Sequence, residues 1–216
     1  MATLTKYGWR SDEWKEDRMT VTTPDPRPSF TSLLEVVGEL LASTDSKDFD
    51  NPTPCSEFDV AALQDHMVFV LKRVVAIGNG LHFSTEEQEK LPQDWPEQWA
   101  TTATQVQSAW ADDAKLSEMF DVPWGSIQGF AALFTYTAEL AVHAWDLTKA
   151  TGRELKADHI DFDGALMAAQ MVPAEGRESD EMPFDPPQET KPDAPMPEKI
   201  AAWFGRDPEW AGSTDS

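Results

Sequence analysis

The sequence predicts an all-α protein, an antiparallel four-helix bundle followed by an irregular, proline-rich C-terminal segment. Apolar residues recur at three- and four-residue spacing along four long stretches, the period of a helix with one buried face. Caps and helix-stopping glycines punctuate those stretches. The connections between them are short, so successive helices are expected to lie antiparallel. With 216 residues, of which 40% are hydrophobic, the chain suits one domain and carries nine Trp and eleven Phe to fill its core.

Residues 1–28 read as an N-terminal extension. They are polar, end in Pro24, Pro26 and Pro28, and contain Trp9 and Trp14 as isolated aromatics able to dock on the body. Residues 29–210 read as the folded domain. In the first helix Phe30, Leu33, Leu34, Val37, Leu40 and Leu41 form the buried stripe, with Ser29 available as cap. A turn-rich stretch from Asp45 to Glu57 contains Asn51-Pro-Thr-Pro-Cys55. The second helix starts at an Asp59 cap, with Phe58 placed to staple onto Leu63. Its stripe is Val60, Leu63, Met67, Val70, Val74 and Ile77, and Gly78 and Gly80 end it.

A third helix is expected from about Pro96 to Ala114, with Trp99, Ala103, Val106 and Trp110 on one face. Val122-Pro-Trp-Gly125 reads as a turn flanked by a short irregular strand. The fourth helix is the longest, roughly Ser126 to Thr151, lined by Phe130, Leu133, Phe134, Leu140, Ala144 and Leu147 and stopped by Gly152. A shorter helix follows Asp161. From Pro173 to Pro197 seven prolines and seven acids stand against two basic residues, which predicts extended or irregular chain. A last short helix, Glu198 to Phe204, ends at Gly205.

Seventeen Lys and Arg against 39 Asp and Glu leave a net charge of −22. A field of that sign repels phosphate backbones and anionic lipid, so neither nucleic acid nor membrane is expected as a partner. The single cysteine, Cys55, excludes an internal disulfide and a cysteine-rich metal site. The N-terminus is charged, without the apolar run of a signal peptide. The expectation is a soluble cytoplasmic protein.

Four histidines are present, His66, His82, His143 and His159. Glu139 and His143 stand four apart on the fourth helix, so their side chains share a face. His66 lies on the second helix beside the buried positions Leu63, Met67 and Val70. If those helices are neighbours, two imidazoles and one carboxylate converge inside the bundle, a usual shell for a divalent metal. A Glu and a His at this spacing also occur by chance as solvated surface pairs. Burial at the interior edge would argue against that, because a buried carboxylate is costly without a partner.

These residues sit in segments that resemble a known family. Asn51-Pro-Thr-Pro-Cys-Ser-Glu-Phe-Asp-Val-Ala-Ala-Leu-Gln-Asp-His66 is similar to the loop and second-helix start of the DinB-like proteins related to the mycothiol-dependent maleylpyruvate isomerase N-terminal domain. Glu139-Leu-Ala-Val-His-Ala-Trp-Asp-Leu147, with Lys149-Ala-Thr-Gly152, resembles that family's second signature. Met171-Val-Pro-Ala-Glu175 and Phe204-Gly-Arg-Asp-Pro-Glu-Trp210 resemble its C-terminal pattern. The resemblance implies metal ligands at His66, Glu139 and His143, the three residues that spacing also selects. It implies a divalent ion, zinc foremost, that binds a low-molecular-weight thiol such as mycothiol as thiolate for attack on an electrophile. The family's isomerase carries a second domain that contributes to catalysis, and 216 residues leave no room for it. A thiol S-transferase is therefore the expected activity; the alternatives are a maleylpyruvate-type isomerase and a non-catalytic metal- or ligand-binding module. The expected partners are a small thiol and an electrophile, and a homodimer is compatible with an exposed bundle.

Arg73, seven residues after His66 on the same face, is the candidate cofactor-binding residue, placed to meet an anionic group. Its plainer reading is a solvated arginine paired with one of the many acids. Cys55 has no basic neighbour in sequence and reads as a small, partly buried loop residue. Asp146 is either an acceptor behind a ligand imidazole or a local helix pair. Trp145 reads as packing, and His82 and His159 as exposed positions near helix ends.

Overall fold

A computed structural model of the chain describes residues 25–81, 93–123, 125–177 and 184–212. Most of the expected N-terminal extension, with Trp9 and Trp14, lies outside them, as do His82 and Trp124. Among the described residues the chain is mostly helical, with one small antiparallel sheet. The elements are α1 (Arg27–Ser43), α2 (Val60–Gly78), α3 (Trp95–Ala109), β1 (Met119–Val122), β2 (Gly125–Gln128), α4 (Gly129–Thr151), α5 (Asp163–Gln170) and α6 (Met196–Trp203). The helices α1 and α2 each pack against α3 and α4, and α5 and α6 pack against α4 as well. Leu33, Leu63, Leu71, Trp99, Leu140, Leu147 and Ile200 are among the fully buried side chains that join these helices in one core.

Helix boundaries follow local chemistry. At α2 the Asp59 carboxylate accepts from the Ala62 N–H at 2.8 Å, the expected cap. At α1 the helix starts at Arg27 rather than after Ser29, because Pro28 falls in the first turn, where its fixed φ and missing N–H cost nothing. At α3 the helix stops at Ala109 rather than Ala114. Trp110 turns its indole N–H to the Val74 carbonyl at 3.0 Å. Asp112 then accepts from the Ala114 N–H at 2.9 Å and starts a separate 3₁₀ turn, Asp113–Leu116. At α4 the start moves from Ser126 to Gly129, because Ser126, Ile127 and Gln128 pair with Asp121, Phe120 and Met119 in the hairpin. At α6 the start moves to Met196, with Pro197 in the first turn.

Within the proline-rich stretch residues 185–191 form neither helix nor strand, and Met196 and Pro197 open α6. Gln188 donates its N–H to the Ala202 carbonyl at 2.9 Å, which ties the stretch to α6. Arg177, 3% exposed, donates to the carbonyls of Pro173, Val172 and Trp203 and so clamps the segment after α5 to the end of α6. None of the described helices is long and apolar enough to cross a membrane.

A close approach fixes the end of α2 against α3. A Cβ on Gly78 would come within 2.5 Å of the Trp110 Nε1, which leaves the indole no room beside any larger residue. Gly78→Ala is expected to displace Trp110 from its bond to Val74 and to lower unfolding free energy by about 1–3 kcal/mol in a urea titration. An unchanged midpoint would show that α3 closes on α2 by some other contact.

Candidate metal centre

The floor of the site is the loop before α2. The Thr53 hydroxyl donates to the carbonyls of Cys55 (2.9 Å) and Phe58 (2.8 Å) and accepts from the Cys55 N–H at 3.2 Å. Asn51 donates its side-chain amide to the Ala150 carbonyl at 3.1 Å, which docks this loop on the far end of α4. The loop thereby sets Phe58 against α2, where its ring stacks on the His66 imidazole at 4.8 Å between centroids and 29° between planes. The Phe58 expected to staple Leu63 thus also walls one side of a histidine.

His66 projects from α2, and Glu139 and His143 project from consecutive turns of α4. One ligand atom from each of the three lies within 4.8 Å of the others. His66 Nε2 stands 3.8 Å from Glu139 Oε1, and the two imidazole rings meet edge to face with centroids 4.7 Å apart. Further along, Arg73 on α2 acts electrostatically on Tyr136 on α4. Residue numbers rise along α2 as those of their partners on α4 fall, so the two helices run antiparallel.

Burial pushes the His66 imidazole down to about 3, with His143, Arg73 and Arg206 adding positive charge in the same direction. His66 is therefore neutral, the form that can ligate a metal, and its approach to Glu139 is not an ion pair. Burial pushes the Glu139 carboxyl up, against the opposing pull of Arg73 and His143. Two imidazoles and a carboxyl that burial disfavours as an anion converge on one point, and that donor set fits a divalent ion.

His143 Nδ1 lies 3.1 Å from Asp146 Oδ2. Asp146 has no exposed surface and is bound in turn by Arg206, whose Nε donates to Oδ1 at 3.2 Å and whose Nη2 donates to Oδ2 at 3.3 Å. The contact fits both readings open for Asp146, a local i,i+3 pair on α4 and a partner behind the His143 ring, and Arg206 adds a third group to it. Arg73 is half-buried, its guanidinium 4.6 Å from the Phe69 ring centroid and its charge felt by His66, Tyr136 and Glu139. Arg73 is thus neither fully solvated nor remote from an acid: the antiparallel pairing carries it to the α4 face that bears Glu139. Trp145 is buried under Lys149, and His159 is exposed.

Cys55 is buried, and it does have a basic neighbour, Arg206, brought by the fold from 151 positions away. Arg206 itself had no assigned role in the sequence. Its signals there were the glycine before it, which marks a helix end, and its place in the Phe204–Trp210 segment that resembles the family's C-terminal pattern; neither says what lies opposite.

A family model described as the mycothiol maleylpyruvate isomerase N-terminal domain matches residues 30–148. Two proteins from different strains of Mycobacterium tuberculosis, both named as uncharacterized, are each 25% identical over 182 residues, covering 84% of this chain and 98% of the relative. No solved structure matches.

Burial pushes the Cys55 thiol up, and Arg206 opposes the shift without reversing it. Less thiolate is present at neutral pH than in a free cysteine, and the alkylation rate should rise only at higher pH. Iodoacetamide is expected to modify Cys55 in the folded protein at least about tenfold more slowly than a free thiol, because burial and low ionisation both oppose attack. Labelling at the free-thiol rate, followed by mass spectrometry, would place Cys55 among reactive thiols instead.

Proposed function

The chain belongs to the mycothiol maleylpyruvate isomerase N-terminal domain family, and from that premise we propose that it is a metal-dependent thiol S-transferase acting with a low-molecular-weight thiol such as mycothiol. The observation that carries this reading is the convergence of His66, Glu139 and His143 within 4.8 Å. The four longest helices are read as the DinB-like bundle, and residues 29–210 as one working unit. Two imidazoles and a carboxylate are the donor set of a zinc-type site, with three protein ligands and coordination positions left open. When bound there, a divalent cation supplies the charge that keeps a thiol in its thiolate form, the nucleophile for an epoxide, alkyl halide or activated alkene.

The chain's own residues prepare that chemistry. His66 offers a neutral imidazole, and Phe58 covers its face and limits access of water. Asp146 accepts from His143 Nδ1, which leaves Nε2 as the ligating atom. Arg73 is read as the cation that meets an anionic group of the thiol or its electrophile. Cys55 is buried and keeps its proton, so the thiol comes from outside. The net charge of −22 disfavours nucleic acid and membrane and leaves small-molecule partners, and the reading extends to a detoxifying role in the cytoplasm.

Protein purified without a chelating tag is expected to hold about one divalent ion per chain, as an open three-ligand site should. His143→Ala removes a ligand and is expected to weaken binding by more than the roughly 10–100-fold that a lost partner behind a ligand costs. Glu139→Ala should lose metal and thiol conjugation together, assayed with mycothiol and monochlorobimane. A metal-free wild type after incubation with zinc, or full conjugation by Glu139→Ala, would sink the assignment.

A further inference from the structure

We propose that Arg206 is a positioning residue of this site, fixing through Asp146 the orientation and tautomer of His143; the functional meaning of that role rests on the reading above. Arg206 lies beyond residues 30–148, the part of the chain that the family model matches.

The end of α6 aims this side chain. Gly205 takes a φ of 88° and donates its N–H to the Ala202 carbonyl at 3.0 Å, while the Arg206 N–H bonds the Ala201 carbonyl at 3.0 Å. This pair of bonds is a Schellman motif, with glycine in the left-handed position and Arg206 as the next residue out. A Cβ on Gly205 would also fall 2.4 Å from the Asp185 Cβ, so the turn is packed as well as bonded. Two residues beyond Arg206, the Pro208 carbonyl accepts from Lys149 Nζ of α4 at 2.8 Å. The arginine is thus held from both sides, by α6 and by α4, before it reaches Asp146.

The consequence for His143 follows from donor arithmetic. An ionised carboxylate only accepts. With Asp146 ionised and forked by Arg206, the His143 Nδ1 must carry the hydrogen, and the Nε2 lone pair is left for a ligand. Asp146 has no contact with solvent that could replace the arginine. Without Arg206 a buried anion would keep one neutral N–H as its partner, an arrangement that is strongly unfavourable and drives rearrangement. His143 would then lose the bond that sets its ring. Lysine at this position can supply charge but not the planar fork.

The test uses Arg206→Gln, Arg206→Lys, Asp146→Asn and the Arg206→Gln/Asp146→Asn double variant. In the metal-free wild type, long-range ¹H–¹⁵N spectra are expected to show His143 as the Nδ1–H tautomer, and in Arg206→Gln a mixture. Cobalt(II) affinity, measured by chelator competition, is expected to fall roughly tenfold in Arg206→Gln, less in Arg206→Lys, with an altered d–d spectrum. In the Asp146→Asn background Arg206→Gln should add little further loss. A wild-type tautomer and cobalt affinity in Arg206→Gln, whatever the thermal midpoint, overturn the proposal, and so does an equal loss in both backgrounds. If Arg206→Gln does not fold, Arg206→Lys decides: weakened cobalt binding supports the role and unchanged binding overturns it. A wild type that takes up no cobalt removes the functional reading alone, since the tautomer measurement still decides whether Arg206 positions His143.

Discussion

In a helix enclosed on most sides, an ionisable side chain must either find a partner or give up its charge, and α4 sets three of them on a single stripe. Glu139, His143 and Asp146 follow one another at i, i+4 and i+7. Between Ala131 and Thr148 every residue but Thr135 and Glu139 is buried. The partners come from three separate parts of the chain. Helix α2 brings His66 to Glu139, α4 itself brings Asp146 to His143, and the turn after α6 brings Arg206 to Asp146. The placement of α2 and α6 on α4 is therefore tied to the site: shifting either one strands a buried polar group as well as opening apolar surface.

The parts of the fold that were legible in the sequence are those set by local rules. Apolar stripes located the four long helices, the two short ones were read without a stripe, and Asp59, Gly80 and Gly152 marked ends that depend only on backbone chemistry within a turn. The errors occur where a distant partner competes with helix propensity. Trp110 could have continued α3, but the Val74 carbonyl lies across from its indole and only tertiary packing shows it. Ser126 to Gln128 could have opened α4, but Met119 to Asp121 claim their backbone groups first. At α1 the difference is local: Pro28 reads as a break before the helix, although proline is at home in a first turn.

The site divides along the same line. His66, Glu139 and His143 were found because a helical period puts Glu139 and His143 on one face and because their surroundings resemble family signatures. Arg206 falls in a segment that resembles the family's C-terminal pattern, but its pairing with Asp146 was not legible, since sixty residues separate the two and no periodicity links them. Phe58 had a sequence role as a staple, yet its ring also lies on His66, a contact that depends on how Thr53 folds the loop. Motifs therefore disclosed the groups that would touch an ion, and left hidden the groups that hold those in place.

Net charge and local charge point in opposite directions, and distance decides between them. The protein carries −22 overall, a field hostile to any anion approaching from afar. Exposed charges are screened beyond a Debye length of about 8 Å at physiological ionic strength. Inside the site screening by salt is weak, and the near groups dominate. Asp146 is cancelled by Arg206, and Glu139 as an ionised ligand would be cancelled by Arg73, which already opposes the upward push of burial on its carboxyl. The buried shell is thus close to neutral within a strongly acidic molecule. A divalent ion added to such a shell would leave local positive charge unspent, and an incoming thiolate is the kind of ligand that would neutralise it. The two arginines, rather than the acidic surface, set the local balance of charge around these side chains.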